Sequence, residues 1–144
     1  MPEAAQVDTN ILLRYFLKDS AEKAAAVHAL VSGLSEPAAP RLVVSAATVS
    51  EVVFVARGAT YRRTRSDLVE LLGLLLAGPF SLPDRQVVSR ARDLYRDVHD
   101  DWNDCLLAAY ALEQGDGSVV SFDRGLDRIP GLTRVEPTVP AANG

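Results

Sequence analysis

Several aspartate and glutamate residues occupy positions where carboxylates commonly do chemistry. Asp8 closes a short apolar segment and directly precedes a helical pattern. Asp123 follows the apolar segment 118–121 after a single phenylalanine. The strands of a parallel α/β sheet deliver their carboxyl ends to one edge, and ligands bind at that edge. Both residues are therefore candidates for a binding site, although each could simply cap the helix that follows it.

Glu51 is the only charged residue between positions 42 and 56. Its neighbours include Val49, Val52 and Val53, which predict a largely buried helix. A buried carboxylate is costly unless it is paired or bound to a metal. We therefore expect Glu51 to be buried at a metal site. The alternatives are an ion pair with an arginine or a narrow solvent-exposed stripe on the helix.

Asp101 and Asp104 are spaced i, i+3, so they project from one face in the first turn of a predicted helix. Acids in a first turn also complement the helix dipole, and the pair resembles a capping arrangement. Gathered carboxylates repel one another, and a hard cation such as Mg²⁺ or Mn²⁺ removes that repulsion. A metal held in this way suits phosphoryl chemistry, because it acidifies a bound water and neutralises charge on phosphate oxygens.

These acids need elements that bring them to one place, and short strand patterns do alternate with longer helical ones. The predicted strands are residues 5–8, 41–44, 118–121 and 133–135, with a minor edge strand at 80–82. The predicted helices are residues 11–17, 20–34, 45–57, 64–77, 85–98 and 101–113, with a helical turn ending at 128. This alternation predicts an α/β fold with a parallel sheet covered on both faces. We expect one domain over residues 1–136 and a disordered tail over 137–144.

Composition narrows the function further. Cys105 is the only cysteine, so no internal disulfide can form, which fits a reducing, cytoplasmic setting. The start of the chain shows no pattern of a signal peptide, and the apolar run 71–77 is too short to span a bilayer. The net charge of −4 argues against broad attraction to nucleic acid. It does not exclude a nuclease, because a carboxylate cage for metal ions contributes to that charge.

A basic cluster lies between Glu51 and Asp67, a stretch without any acid. It comprises Arg57, Tyr61, Arg62, Arg63 and Arg65. Arginines beside an aromatic ring could hold a phosphate backbone and stack on a base. A solvated loop and helix start is the alternative. The leucine-rich segment 68–76 is likewise either a surface for a partner or plain core.

Four segments in order resemble the motif series of PIN-domain ribonucleases. They are Val7-Asp8-Thr9-Asn10, Ser50-Glu51-Val52-Val53, Asp101-Trp102-Asn103-Asp104 and Ser121-Phe122-Asp123-Arg124. The likeness runs from about residue 6 to 135. Within the family, the size and the Asp-Thr-Asn start are similar to VapC-type toxins of toxin–antitoxin pairs.

The resemblance implies a three-layer α/β/α sandwich with a central, mostly parallel sheet. It also implies Mg²⁺- or Mn²⁺-dependent endonucleolytic cleavage of RNA, a homodimer, and a small antitoxin whose C-terminal segment enters the active-site groove. Asp8, Glu51, Asp104 and Asp123 match the acidic quartet, and Asp101 matches a frequent additional acid. Asn10 and Ser121 match polar positions that support the metal shell.

In this scheme Asp8 and Asp104 hold the main metal ion, and Asp123 or Asp101 completes its shell. Glu51 either binds a second metal or orients the attacking water. Two rival functions remain. One is a PIN fold that binds RNA or a partner without cutting. The other is an aspartyl-phosphate phosphatase or receiver domain.

Two observations bear on other catalytic schemes. An aspartyl-phosphate domain needs a lysine late in the chain, yet none follows Lys23. His28 and His99 are the only histidines, and their spacing fits neither a Ser-His-Asp nor a Cys-His site. We expect both to be structural or surface residues.

Overall fold

The computed structural model describes residues 3–17 and 20–142 of the chain. The chain forms two compact units, Met1–Arg85 and Gln86–Gly144. The expectations for the first two residues and for the end of the tail, at 143–144, lie outside the described residues. Residues 136–142 have no regular secondary structure and are exposed.

The first unit combines parallel strands with helices. Its elements are β1 (Ala4–Gln6), α1 (Thr9–Leu17), α2 (Ala21–Ser32), a 3₁₀ turn (Gly33–Ser35), β2 (Arg41–Val43), α3 (Ala46–Arg57) and α4 (Arg65–Ala77). Strands β1 and β2 are parallel, with Ala5 opposite Leu42. Ser81 forms an isolated parallel bridge to Val43, at the place where a minor edge strand was predicted.

Apolar faces of the helices supply the core of this unit. α1 buries Leu12 and Leu13, and α4 buries Leu68, Leu71, Leu72 and Leu75. The leucine-rich segment is therefore mostly core, the plainer of the two alternatives. Leu74 is the exception, because 57% of it is exposed.

The second unit carries the remaining elements. They are α5 (Arg85–Asp97), α6 (Trp102–Gln114), β3 (Ser118–Val120), a 3₁₀ helix (Arg124–Arg128) and β4 (Thr133–Val135). β3 and β4 are parallel, with Val119 opposite Arg134. Gly117 adopts a φ of 84° in the turn before β3, a conformation that favours glycine. The ring of Tyr95 on α5 meets the ring of Trp102 on α6 edge-on, with centroids 5.7 Å apart.

The predicted mixed α/β fold with parallel strands is confirmed. Six α-helices occur in the described part of the chain, and most begin and end within two residues of the predicted positions. Among these helices, none is long and apolar enough to cross a membrane.

Candidate active site

Asp8 lies at the carboxyl end of β1, immediately before α1. The ladder extends one residue past β1, because the N–H of Val7 donates to the carbonyl of Val43 at 2.9 Å. Helix α1 then begins at Thr9, which is 4% exposed, and this leaves Asp8 exposed between strand and helix. This is the position that the sequence predicted for it.

Asn10 lies in the first turn of α1 and is exposed. It lines a groove of about 300 Å³ between α1 and α2. Arg14 and Lys23 stand at the same groove, so its charged side chains are cationic. Asn10 therefore has room to contact a bound group.

Glu51 corrects an expectation, because its side chain is exposed rather than buried. The buried face of α3 is formed by Val49, Val52, Val53 and Ala56. Glu51 shares the opposite face with Phe54, which is 79% exposed. The apolar stretch predicts a largely buried helix, but Glu51 and Phe54 lie on an exposed stripe, which is one of the alternatives stated for Glu51. The cost of a buried carboxylate therefore does not apply, and Glu51 remains a candidate through its motif.

The basic cluster occupies the end of α3, the following loop and the start of α4. Arg62 has a φ of 50°, in the left-handed region, and its Nε donates to the carbonyl of Ala59 at 3.1 Å. Arg63 lines a cavity of about 180 Å³ together with Asp67 and Glu70. Arg62 thus helps to hold the loop, and acids flank Arg63. Both details fit the solvated-loop alternative as well as phosphate binding.

In the second unit, Asp101 is the N-cap of α6. Its Oδ1 accepts a hydrogen bond from the backbone N–H of Asp104 at 3.0 Å. The capping alternative is therefore realised at this residue. The same bond places the carboxylate of Asp101 beside the first turn of α6, where Asp104 projects.

Asp123 is the N-cap of the 3₁₀ helix. Its Oδ1 accepts from the N–H of Gly125 at 2.8 Å, and its own N–H donates to the Ser121 Oγ at 3.0 Å. Ser121 thus fixes the backbone that carries Asp123. An N-cap uses one carboxylate oxygen, so the second oxygen can serve another role.

Asp104 is the carboxyl group on which these neighbours act. Partial burial raises its pKa, and repulsion from the carboxylate of Asp101 raises the pKa further. Attraction to His99 opposes both effects. The charge of Asp123 and a side-chain hydrogen bond between the two carboxyl groups also raise the pKa of Asp104. The second unit therefore brings together Asp101, Asp104 and Asp123.

The chemistry of this group suits a hard cation. Carboxylate oxygens are the ligands that Mg²⁺ and Mn²⁺ prefer, and a cation would offset the repulsion between Asp104 and its neighbouring carboxylates. Across residues 3–17 and 20–142, no three acidic, histidine or cysteine side chains already converge as a metal site. The donors fit the ion, and their side chains would have to rotate to enclose it.

His99 also belongs to this group, a contribution that the sequence analysis missed. Its Nε2 lies 3.6 Å from Oδ2 of Asp104, and its Nδ1 accepts the backbone N–H of Asp101 at 3.1 Å. The available signal was its position in the short α5–α6 connection, two residues before Asp101. His28, by contrast, stacks on Tyr15 with ring centroids 4.5 Å apart, as a structural residue does.

Comparison with protein families matches residues 5–132, nearly the whole chain, to the family described as PIN domain. Comparison with curated proteins gives no match.

Proposed function

The chain belongs to the PIN domain family, whose members are generally nucleases, and from this we propose that it is a Mg²⁺- or Mn²⁺-dependent endoribonuclease. The observation that carries the proposal is the arrangement around Asp104. Partial burial and the nearby carboxylates of Asp101 and Asp123 raise the pKa of Asp104. A divalent cation is the partner that makes such an arrangement favourable.

We assign the acidic residues of the nuclease by motif. Asp8 and Asp104 would hold the main ion, and Asp123 or Asp101 would complete its ligands. Glu51 would bind a second ion or orient the attacking water. Asn10 and Ser121 would support the ligands, and the bond from the N–H of Asp123 to the Ser121 Oγ is favourable to that role.

The chemistry is hydrolysis of a phosphodiester. A bound Mg²⁺ or Mn²⁺ supplies positive charge at the phosphate oxygens and a more acidic water. The chain itself supplies the carboxylates that hold the ion and Glu51, which can accept a proton from water. Because water and not a 2′-hydroxyl attacks, we expect products with a 5′-phosphate.

The proposal extends to partners. Arg57, Arg62, Arg63 and Arg65 would contact the RNA backbone. The resemblance of the segment Asp8-Thr9-Asn10 to VapC-type toxins supports a toxin that would form a homodimer, be neutralised by a cognate antitoxin and act in the cytoplasm. The apolar side chains of Phe54 and Leu74, both largely exposed, are favourable to a protein partner on the first unit.

Replacing Asp8 with asparagine tests the proposal. The change keeps the shape of the side chain and removes the charge, so cleavage of RNA should fall at least about a hundredfold. The fold should be retained, since Asp8 is exposed. The measurement is cleavage of total RNA by the purified protein, with Mn²⁺ and with a chelator, alongside circular dichroism.

Asp93→Asn is the matched control, because Asp93 is an exposed carboxylate on α5 outside the motifs. It should cut RNA at the wild-type rate. Wild-type activity of Asp8→Asn, or cleavage that persists in chelator, would contradict the proposal. A wild-type protein that binds RNA without cutting would favour the non-catalytic alternative.

A further inference from the structure

The position of His99 is fixed by three hydrogen bonds in the connection between α5 and α6. Its backbone N–H donates to the carbonyl of Leu94 at 2.9 Å. Its own carbonyl accepts from the thiol of Cys105 at 3.3 Å, and its Nδ1 accepts the N–H of Asp101 at 3.1 Å. The side chain is only 13% exposed. The imidazole therefore has a defined place and orientation.

The hydrogen bond at Nδ1 determines whether Nε2 carries a proton. A nitrogen that accepts a hydrogen bond carries no proton, so the neutral imidazole carries its proton on Nε2. Nε2 lies 3.6 Å from Oδ2 of Asp104. That separation is a few tenths of an ångström longer than a direct hydrogen bond. A small rotation of the Asp104 side chain would close it, with Nε2–H as donor and the carboxylate as acceptor.

We propose that His99 is a positioning residue that orients the carboxylate of Asp104 toward a bound divalent cation. The inference rests on the proposed function, because it takes Asp104 as a ligand. His99 is not itself a ligand, since the proton on Nε2 occupies the lone pair that a metal would need. Partners of this kind behind a ligand commonly change metal affinity by about 10- to 100-fold.

Gly125 keeps the space that this arrangement needs. A Cβ at this position would lie 3.0 Å from Oδ1 of Asp123 and 3.4 Å from Nε2 of His99. The approach to Asp123 is tighter than ordinary van der Waals contact, and the approach to His99 is at the lower limit of such contact. The ring of His99 and the carboxyl group of Asp123 therefore both lie against a residue that has no side chain.

The tautomer of His99 gives a test that needs neither metal nor activity. In ¹⁵N NMR spectra of the apo protein, His99 should show a proton on Nε2 and a bare, accepting Nδ1. Asp104→Asn should shift the Nε2 resonance of His99, whereas Asp93→Asn should leave it unchanged. A proton on Nδ1, or an Nε2 resonance indifferent to Asp104→Asn, would overturn the inference.

Calorimetric titration with Mn²⁺ gives the second test. His99→Leu should weaken binding by about 10- to 100-fold. His99→Gln should stay within about threefold of the wild type, because its amide nitrogen reaches the position of Nε2 and can donate there. His28→Leu is the matched control and should bind Mn²⁺ as the wild type does. If His99→Leu does not fold, His99→Asn replaces it, since its shorter amide reaches only the Nδ1 position.

The outcomes distinguish the proposed role of His99 from the proposed function of the protein. Equal affinity of the wild type and His99→Leu would overturn the inference and leave the proposed function intact. Equal weakening by His99→Gln and His99→Leu would mean that the imidazole itself binds the ion, which also overturns it. Absence of Mn²⁺ binding by the wild type would overturn the proposed function, and the inference with it.

Discussion

At the scale of single residues, Asp104 is the group most constrained by its neighbours. Burial raises its pKa, and the nearby carboxylates of Asp101 and Asp123 act in the same direction. A cation near the three carboxylates would offset these influences. The carboxyl group is thus poorly suited to the apo protein and well suited to a metal-bound one.

Replacing Asp104 with asparagine should stabilise the metal-free protein at neutral pH by about 0.5 kcal/mol, the scale of partly exposed charge interactions. The folded-state pKa of Asp104 lies above its ordinary value of 3.8, so the folded state binds more protons than the unfolded state between the two values. Stability therefore falls as the pH rises through that window. Chemical denaturation in chelator from pH 3 to 8 measures the gain in stability of Asp104→Asn at neutral pH. It also measures how far the dependence of stability on pH is lost in this variant.

Asp116→Asn is the control of opposite sign. Hydrogen bonds from Ser118 lower the pKa of Asp116, so its contribution is present at neutral pH and is lost as the pH falls through its folded-state pKa, below 3.8. This variant should not gain stability at neutral pH. A gain equal to that of Asp104→Asn would mean that net charge, and not the local carboxylates, is responsible.

At the scale of elements, the start of α4 shows how local sequence determines a boundary. The Thr64 hydroxyl accepts the N–H of Asp67 at 3.1 Å, and the Asp67 carboxylate accepts the N–H of Thr64 at 2.9 Å. This reciprocal pair is a capping box, which satisfies two backbone donors at once. The helix it starts buries four leucines in the core of the first unit.

Thr64→Ala should lower the free energy of unfolding by about 1 kcal/mol, because it removes the hydroxyl acceptor of the cap. Thr64→Ser keeps that acceptor and should stay close to the wild type. Urea denaturation at neutral pH compares the three proteins. Equal losses for alanine and serine would assign the effect to the methyl group of threonine instead of the cap.

Element types were predictable from the sequence, because turn residues and apolar spacing set them locally. It was harder to predict which face of a helix is buried and which is exposed. Glu51 was expected inside because its neighbours are apolar, but Phe54 is exposed on the same side of α3. Composition alone could not tell a helix buried all round from one with an aromatic side chain in solvent.

Residues of the candidate site that belong to sequence motifs were predictable. Residues that matter through their contacts in the fold were not. Asp101, Asp104 and Asp123 were found by their spacing and their order along the chain. His99 was missed because its role depends on the direction of a ring nitrogen, which the fold of the α5–α6 connection decides. Gly125 was missed for the same reason, since its value is the space beside two side chains.

At the scale of the whole molecule, acids outnumber bases by 19 to 15, so a bound cation reduces self-repulsion as well as ordering ligands. Mn²⁺ at about a hundred times its dissociation constant should stabilise the protein by about 2.7 kcal/mol. Thermal unfolding with and without Mn²⁺ measures the shift, and chelator should reverse it.

The stabilisation by Mn²⁺ should largely disappear in Asp104→Asn, which lacks a proposed ligand. It should persist in Asp93→Asn. An equal rise in all three proteins would show that Mn²⁺ acts through general charge screening. That result would contradict a specific binding site for the cation.

Asp101 takes part in three arrangements at once. It caps α6, its N–H holds the ring of His99, and its charge acts on Asp104. An alanine scan that reads only activity would therefore score this position as catalytic even if its carboxylate never met an ion. Asparagine is the more informative substitution, because it can still cap the helix while it removes the charge. The difference between the alanine and asparagine variants would separate the structural role of Asp101 from any role in binding an ion.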